Sequence, residues 1–80
     1  MEKFGLNISG PGGVIYEGEC ESLILPVHDG TYGIQAKHCN AIIAMVPGKV
    51  VYTSGEIKNE TEIGGGIAEF SSNKAILLAF

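Results

Sequence analysis

Glycine and proline interrupt this chain so often that a long helix is excluded. Twelve glycines and three prolines are spread over 80 residues, and both residue types weaken the interior of a helix. None of the pieces between them carries apolar residues at the i, i+3, i+4, i+7 spacing of a helix that packs on a core. The chain must therefore fold from short extended segments joined by turns, which predicts an all-β protein.

Nine short strands are predicted between the turns, and their alternating apolar and polar residues favour an antiparallel β-sandwich or barrel. A helical turn competes only in residues 41–46, where alanine and methionine occur among β-branched residues. The almost wholly apolar segment 75–80 is predicted as a strand, either buried on both faces or leading into a further packed element. The predicted strands are 4–8, 14–16, 19–25, 31–34, 41–46, 49–53, 57–63, 67–70 and 75–80.

Composition narrows the functional classes. A hydrophobic fraction of 45% and a charged fraction of 18% are typical of a folded globular chain. The net charge is −4 and arginine is absent, so nucleic-acid binding is not expected. No apolar run is long enough to cross a bilayer, and we expect a soluble, cytoplasmic protein without membrane insertion. Cys20 and Cys39 could in principle form a disulfide, but without a secretory signal they are predicted to be buried, reduced thiols.

The side chains that could perform chemistry do not form a recognisable site. His38 and Cys39 are adjacent, so an extended backbone places them on opposite faces, where they cannot act as a nucleophile and base. The spacing of the histidines and cysteines matches no zinc pattern, and the Gly64-Gly65-Gly66 segment lacks the lysine and helix of a phosphate-binding loop. We predict no catalytic residue, no metal ligand and no cofactor.

The order of the turn residues and short motifs resembles the N-terminal domain of the ε subunit of F-type ATP synthases. The similarity runs from Phe4 to Ala79 and implies a single ten-stranded β-sandwich domain over residues 1–80, giving a range of about nine to ten strands. The motifs that carry it are Phe4-x-Leu6-x-Ile8, Val14-x-Tyr16-x-Gly18-Glu19, Ser22, Pro26, Gly30-x-x-Gly33-Ile34, His38, Pro47-Gly48, Gly65-Gly66-Ile67-x-Glu69 and Asn73-Lys74-x-x-x-Leu78-Ala79.

This resemblance implies two contact sites on a non-catalytic stalk subunit that couples ring rotation to ATP synthesis. The loop His28-Asp29-Gly30-Thr31-Tyr32 matches the family position that meets the membrane c-ring. Gly10, His38 and Ile43 match positions that face the γ subunit. Family members commonly carry Gly-Ile-Leu-Pro-Gly-His where this chain has Gly33-Ile34-Gln35-Ala36-Lys37-His38, and a proline where it has Asn40. The local backbone is therefore expected to differ.

The family usually continues into a two-helix domain, and this chain ends at Phe80. If Phe80 is the natural end, inhibition and nucleotide sensing are absent; if the protein is longer, they lie outside these residues. The expected location is the inner face of the cell membrane, peripherally, through the complex. The alternative is a free-standing β-sandwich that binds proteins and self-associates through strand edges, as a homodimer when isolated.

Overall fold

The computed structural model describes residues 2–80, and these fold into one seven-stranded sheet. The strands follow the order β2-β1-β7-β6-β5-β3-β4 across the sheet. All neighbours are antiparallel except β1 and β7, which run parallel from the Gly5/Lys74 pair to the Ser9/Leu78 pair. The all-β prediction is confirmed, and the prediction of a purely antiparallel sheet is wrong. The strands are β1 (Phe4–Gly10), β2 (Gly13–Cys20), β3 (Ser22–Val27), β4 (Gly30–Gln35), β5 (Ala41–Ser54), β6 (Ile57–Ser71) and β7 (Lys74–Ala79).

Two strands are longer than the sequence predicts, and this lowers the strand count from the predicted nine or ten to seven. The turn predicted at Pro47-Gly48 does not form, because β5 continues through it and pairs with β6 in one constant register from Ala41/Phe70 to Ser54/Ile57, interrupted only at Val46 and Gly65. Proline fits here because β3 pairs with β5 only at residues 51–53, which leaves Pro47 at a locally free edge. The helical alternative for residues 41–46 is also wrong.

A corner in β5 and β6 explains how one sheet encloses a core. In the first part of β5 the odd-numbered Met45 is buried, whereas in the second part the even-numbered Val50 and Tyr52 are buried. The buried parity of β6 changes at the same level, at Gly65 and Gly66, whose φ angles are 105° and 144°. Because side chains alternate along a strand, this shared change moves the buried side chains of both strands to the opposite strand face. The sheet therefore bends back on itself at this level.

The two halves of the folded sheet pack against each other, an arrangement consistent with a β-sandwich. One half contains β2, β1, β7 and the adjoining parts of β6 and β5, and the other contains the remaining parts with β3 and β4. Tyr16 and Tyr52 make contact between the halves, with ring centroids 4.6 Å apart. Phe4 and Phe70 pack edge to face at 5.5 Å within the core. The other buried apolar residues are Leu6, Ile8, Cys20, Leu23, Leu25, Ile34, Met45, Val50, Ile63, Ala68, Ala75 and Leu77.

A break at Glu21 corrects the predicted strand 19–25. The main-chain N–H of Glu21 donates to the carbonyl of Thr53 at 2.7 Å, and its carboxylate accepts from the N–H of Gly55 at 2.6 Å. This anchor separates β2 from β3 and changes which residues face inward, so that Cys20 and Leu23 are both buried. Because the side-chain period is two, a single interruption of this kind exchanges the faces of a strand.

The last strand is buried on one face only. Leu77 is fully buried, whereas Leu78 is 59% exposed. The apolar composition of the segment 75–80 therefore does not indicate burial on both faces, and it leaves aliphatic side chains on the outside of the sheet. Among the described residues, no helix is long and apolar enough to span a membrane.

Candidate protein interface

The predicted ring-contact segment forms the tip of the β3–β4 hairpin. His28 and Asp29 occupy the turn, with side chains 92% and 97% exposed and Nδ1 of His28 lying 3.0 Å from Oδ1 of Asp29. Gly30 begins β4 with φ 135°, a value that favours glycine. Thr31 is exposed opposite Pro26. A contact between two such exposed side chains adds little to stability, so these polar side chains are free to contact another molecule.

Tyr32 belongs to the same predicted segment, but its side chain turns inward, away from the hairpin tip. It is half-buried against the core, and its hydroxyl lies 3.0 Å from Nε2 of His38. The carbonyl of Cys39 can only accept, so Nδ1 of His38 donates to it at 2.6 Å, which leaves Nε2 for the hydrogen bond with the Tyr32 hydroxyl. The His38 ring also packs edge to face on Phe70, with centroids 5.6 Å apart.

The backbone around His38 is restrained even though the proline and glycine typical of the family are absent. Lys37 occupies the position at which the family commonly has glycine, and its φ of 66° is left-handed. A non-glycine residue in this conformation costs roughly 1–2 kcal/mol. The turn is therefore kept with a lysine, and a local contact must compensate for the strain.

The predicted γ-contact residues do not form one compact cluster. Gly10 ends β1 and Ile43 lies in β5, with β7 and β6 between them, a separation of about 14 Å at the usual strand spacing. His38 and Ile43 lie on the inward side, because His38 contacts Phe70, the strand partner of Ala41, and Ile43 is half-buried against the core. A surface that includes all three positions must extend across the sheet.

A row of five residues, four of them apolar, crosses the outer face of the sheet, opposite the face on which His38 and Ile43 lie. No local sequence pattern predicted it. We call this set the outer row. It begins beside Gly10, ends beside Ile43, and crosses five strands over about 19 Å. Leu78 is 59% exposed and Ile67 is 45% exposed. Its members in spatial order are Val14, Ser9, Leu78, Ile67 and Ala44.

Further exposed aliphatic and aromatic side chains widen the outer row. Ile76 is 37% exposed and Ile42 is 75% exposed in the next row of the sheet, where the exposed Glu69 lies between them, and Phe80 is 75% exposed after β7. Polar groups border them, including Asn7, whose side-chain amide donates to Glu17 at 3.2 Å. Exposed apolar side chains that lie side by side with polar residues at their border, such as Leu78 and Ile67, mark sites of protein interaction. The sequence signal for this surface is the almost wholly apolar segment 75–80, which holds more apolar residues than one buried strand face needs.

The described residues also show what chemistry the surface can support. Across residues 2–80, no three histidine, cysteine, aspartate or glutamate side chains converge as metal ligands. Both cysteines are free; Cys20 is buried as predicted, but Cys39 is exposed, which corrects that half of the prediction. Burial raises the pKa of the Cys20 thiol to about 12, which opposes formation of a reactive thiolate.

Comparison with known proteins relates this chain to ATP synthase delta/epsilon chains. Residues 3–80 match the family described as "ATP synthase, Delta/Epsilon chain, beta-sandwich domain". An ATP synthase epsilon chain 2 of Nitrobacter hamburgensis is 30% identical over 79 residues, which are 99% of this chain and 58% of that protein. An ATP synthase epsilon chain of Chlorobium limicola is 38% identical over 76 residues, or 94% of this chain and 86% of that protein. The chain thus spans little more than half the length of the first relative.

Solved structures show the same fold at low sequence identity. A chain in the Euglena gracilis mitochondrial ATP synthase, solved as OSCP/F1/c-ring, superposes with a TM-score of 0.86 at 18% identity, covering 92% of this chain and 48% of that one. A chain in the central stalk/c-ring structure of the Tetrahymena thermophila mitochondrial ATP synthase gives 0.80 at 16% identity, covering 99% and 64%. With the family match over residues 3–80, the chain belongs to the family of the β-sandwich domain of ATP synthase delta/epsilon chains.

Proposed function

We propose that this chain is an ε-type central-stalk subunit, or its sandwich domain, which binds γ and the c-ring of an F-type ATP synthase. It couples ion-driven rotation to ATP synthesis as a single domain over residues 1–80. Its place is the cytoplasmic side of the cell membrane, to which the complex holds it peripherally. The family relationship and the epsilon-chain names of the relatives support this role, and those relatives confirm the prediction of a non-catalytic ATP synthase subunit.

The observation that carries the proposal is the outer row. A free β-sandwich of this size gains nothing from exposing Leu78 and Ile67 side by side, because these neighbours form a strand pair on the solvent side of the sheet. The row joins the surroundings of Gly10 to those of Ile43, both predicted to contact γ. The first part of β5 also forms a free strand edge among the described residues, since β3 pairs only with its second part. A γ subunit that covers the row and this edge would reach His38.

The γ contact is tested by placing a charge in the outer row. Leu78→Asp should weaken capture of purified γ strongly, because a buried carboxylate without a partner is costly at an interface. Ile57→Asp is the matched control, since Ile57 is similarly exposed at 66% but lies at the β5–β6 hairpin end. Both variants should unfold at similar urea concentrations. Equal γ binding by Leu78→Asp and the unchanged protein would refute the role of the row.

The ring contact is tested at the β3–β4 tip. The triple change His28→Ala, Asp29→Ala and Thr31→Ala should weaken binding to purified c-ring and leave the melting temperature nearly unchanged, because all three side chains are exposed. Binding of γ should be unaffected, since the tip and the outer row lie in different halves of the sheet. A large loss of stability, or unchanged binding to the ring, would contradict the assignment.

Self-association is the second candidate, because the same free edge of β5 carries Ile42, which is 75% exposed. An exposed apolar edge can pair with another copy of the chain. Sedimentation of the isolated protein distinguishes the two. A dimer that persists in the presence of excess γ favours self-association, whereas a monomer or a dimer that γ dissociates favours the stalk role.

A further inference from the structure

Asn73 joins three separate parts of the chain through a single residue. Its side-chain Oδ1 accepts from the main-chain N–H of Lys37 at 2.7 Å, and its Nδ2 donates to the carbonyl of Lys3 at 3.2 Å. Its own carbonyl accepts from the N–H of Gly5 at 3.1 Å. The turn between β6 and β7 is thereby tied both to the N-terminal segment and to the segment that carries His38.

The turn itself does not require these side-chain bonds. Ser72 and Asn73 have φ angles of 51° and 56°, which is the pattern of a type I′ hairpin turn. Glycine or asparagine satisfies that pattern equally well through the backbone alone. The two bonds made by the side-chain amide of Asn73 therefore act on other segments of the chain.

The segment that receives the stronger bond is strained. Lys37 is a non-glycine residue at φ 66°, and such a conformation persists only where neighbouring contacts hold it. Its N–H is bonded to Asn73, and its Nζ lies 3.2 Å from a carboxylate oxygen of Glu2, although both of those side chains are largely exposed. The Asn73 bond is the better restraint on the backbone here, because it is short and acts directly on the strained residue.

This restraint determines how the following residue is presented. His38 is fixed by Tyr32 and by the carbonyl of Cys39, and His38 and Ala36 line an open groove of about 550 Å³. Ile24 and Gly33 also line that groove. If residue 37 left its left-handed conformation, the direction of the chain into His38 would change, and both the ring contacts and the groove would be lost.

We infer that Asn73 is a positioning residue for partner binding, and that its side-chain amide holds residues 36–38 in the conformation that presents His38 to γ. The inference rests on the proposed function. Holding a segment in its bound conformation lowers the entropic cost of association. Loss of one such hydrogen bond, at about 0.5–1.5 kcal/mol, corresponds to about a 2- to 12-fold weaker affinity.

The test compares two glycine substitutions in the same turn. Asn73→Gly removes the side chain and keeps the left-handed turn, whereas Ser72→Gly does the same at a side chain that makes no hydrogen bond within residues 2–80. Amide hydrogen exchange is measured at Lys37 and His38, and the dissociation constant for purified γ is measured by titration calorimetry. We expect faster exchange at Lys37 and several-fold weaker γ binding for Asn73→Gly, and neither effect for Ser72→Gly.

A conservative substitution gives a further check. Asn73→Asp keeps an oxygen that can accept from Lys37 and loses the donor to Lys3, so it should restore slow exchange at Lys37 and most of the γ affinity. Unchanged exchange at Lys37 in Asn73→Gly overturns the inference, and so does faster exchange with γ affinity equal to that of the unchanged protein. If the unchanged protein does not bind γ, the proposed function fails and the binding role of Asn73 fails with it.

Discussion

Gly66→Ala should be one of the most damaging single-methyl changes in this chain. Gly66 lies at the corner of the sheet with φ 144°. A Cβ added there would overlap the carbonyl oxygen of Leu78 and lie 2.9 Å from Cα of Ala79. These are main-chain atoms of β7, so no side chain can rotate away to make room. The substitution must either move β7 or change the backbone of the corner.

The expected cost has two parts. An L-residue in this backbone region costs of order 1–3 kcal/mol, and overpacking against atoms that cannot move adds about 1–3 kcal/mol. The sum is about 2–6 kcal/mol, against a total stability of about 4–12 kcal/mol for 80 residues at typical values per residue. Gly66→Ala should therefore lower the urea midpoint severely or prevent folding.

Two other glycines separate these contributions. Gly30 has nearly the same φ, 135°, but a Cβ there meets nothing within 4 Å, so Gly30→Ala measures the conformational cost alone. Gly33 lies within β4 at a φ that other residues adopt, and a Cβ there also meets nothing within 4 Å. Gly33→Ala should be neutral or stabilising by a few tenths of a kcal/mol, because it reduces the freedom of the unfolded chain.

The assay is urea unfolding followed by far-ultraviolet circular dichroism, with the slope of each curve compared to check that all variants expose similar surface. The predicted order of stability is Gly33→Ala, then Gly30→Ala, then Gly66→Ala. If Gly66→Ala were no less stable than Gly30→Ala, close packing of β6 on β7 would not be what requires glycine at this corner, and the reasoning would be refuted.

Three further predictions concern burial. Leu77→Ala should cost about 2–5 kcal/mol and Leu78→Ala under about 0.5 kcal/mol, because only Leu77 is buried; similar losses in urea unfolding would contradict the assigned strand faces. A thiol reagent should modify Cys39 at once and Cys20 only after unfolding, as it is buried; rapid reaction of both would disprove this. The folded state keeps the Cys20 proton up to a pKa of about 12, against 9.0 for the free thiol. The free energy of unfolding should therefore be unaffected by Cys20 below pH 9 and fall between pH 9 and 12, by at most about 1.4 kcal/mol per pH unit. The free energy of unfolding of Cys20→Ala should fall less steeply over this pH range, and equal slopes for the two proteins would contradict the prediction. Burial also raises the pKa of Tyr52, but Tyr52 is present in both proteins, so the comparison isolates Cys20.

The family and the all-β class followed from the order of glycines, prolines and alternating residues, because these act locally on the backbone. The wrong predictions have the same cause, because patterns of neighbouring residues do not report which strands pair. Pro47-Gly48 has the composition of a turn, yet the chain continues through it because the neighbouring side of β5 is free there. The parallel pairing of β1 with β7 joins the two ends of the chain, which no local pattern reports.

At the interface, too, the sequence indicated some residues and only the tertiary structure revealed others. From the sequence came the polar tip at His28 and Asp29 and the resemblance-based positions Gly10, His38 and Ile43. The outer row arises only when β7 is inserted between β1 and β6, because this pairing places Leu78 next to both Ser9 and Ile67.

Local chemistry by itself therefore determined that the chain forms strands and turns, that it carries no recognisable catalytic motif, and which family it resembles. Tertiary structure decided which aliphatic side chains remain outside, and it brought Asn73 to Lys37, 36 residues away along the chain. The physical reason is that strand faces and turn types depend on neighbouring residues. Surfaces and restraints between distant segments depend instead on pairing register and on the corner at Gly65 and Gly66.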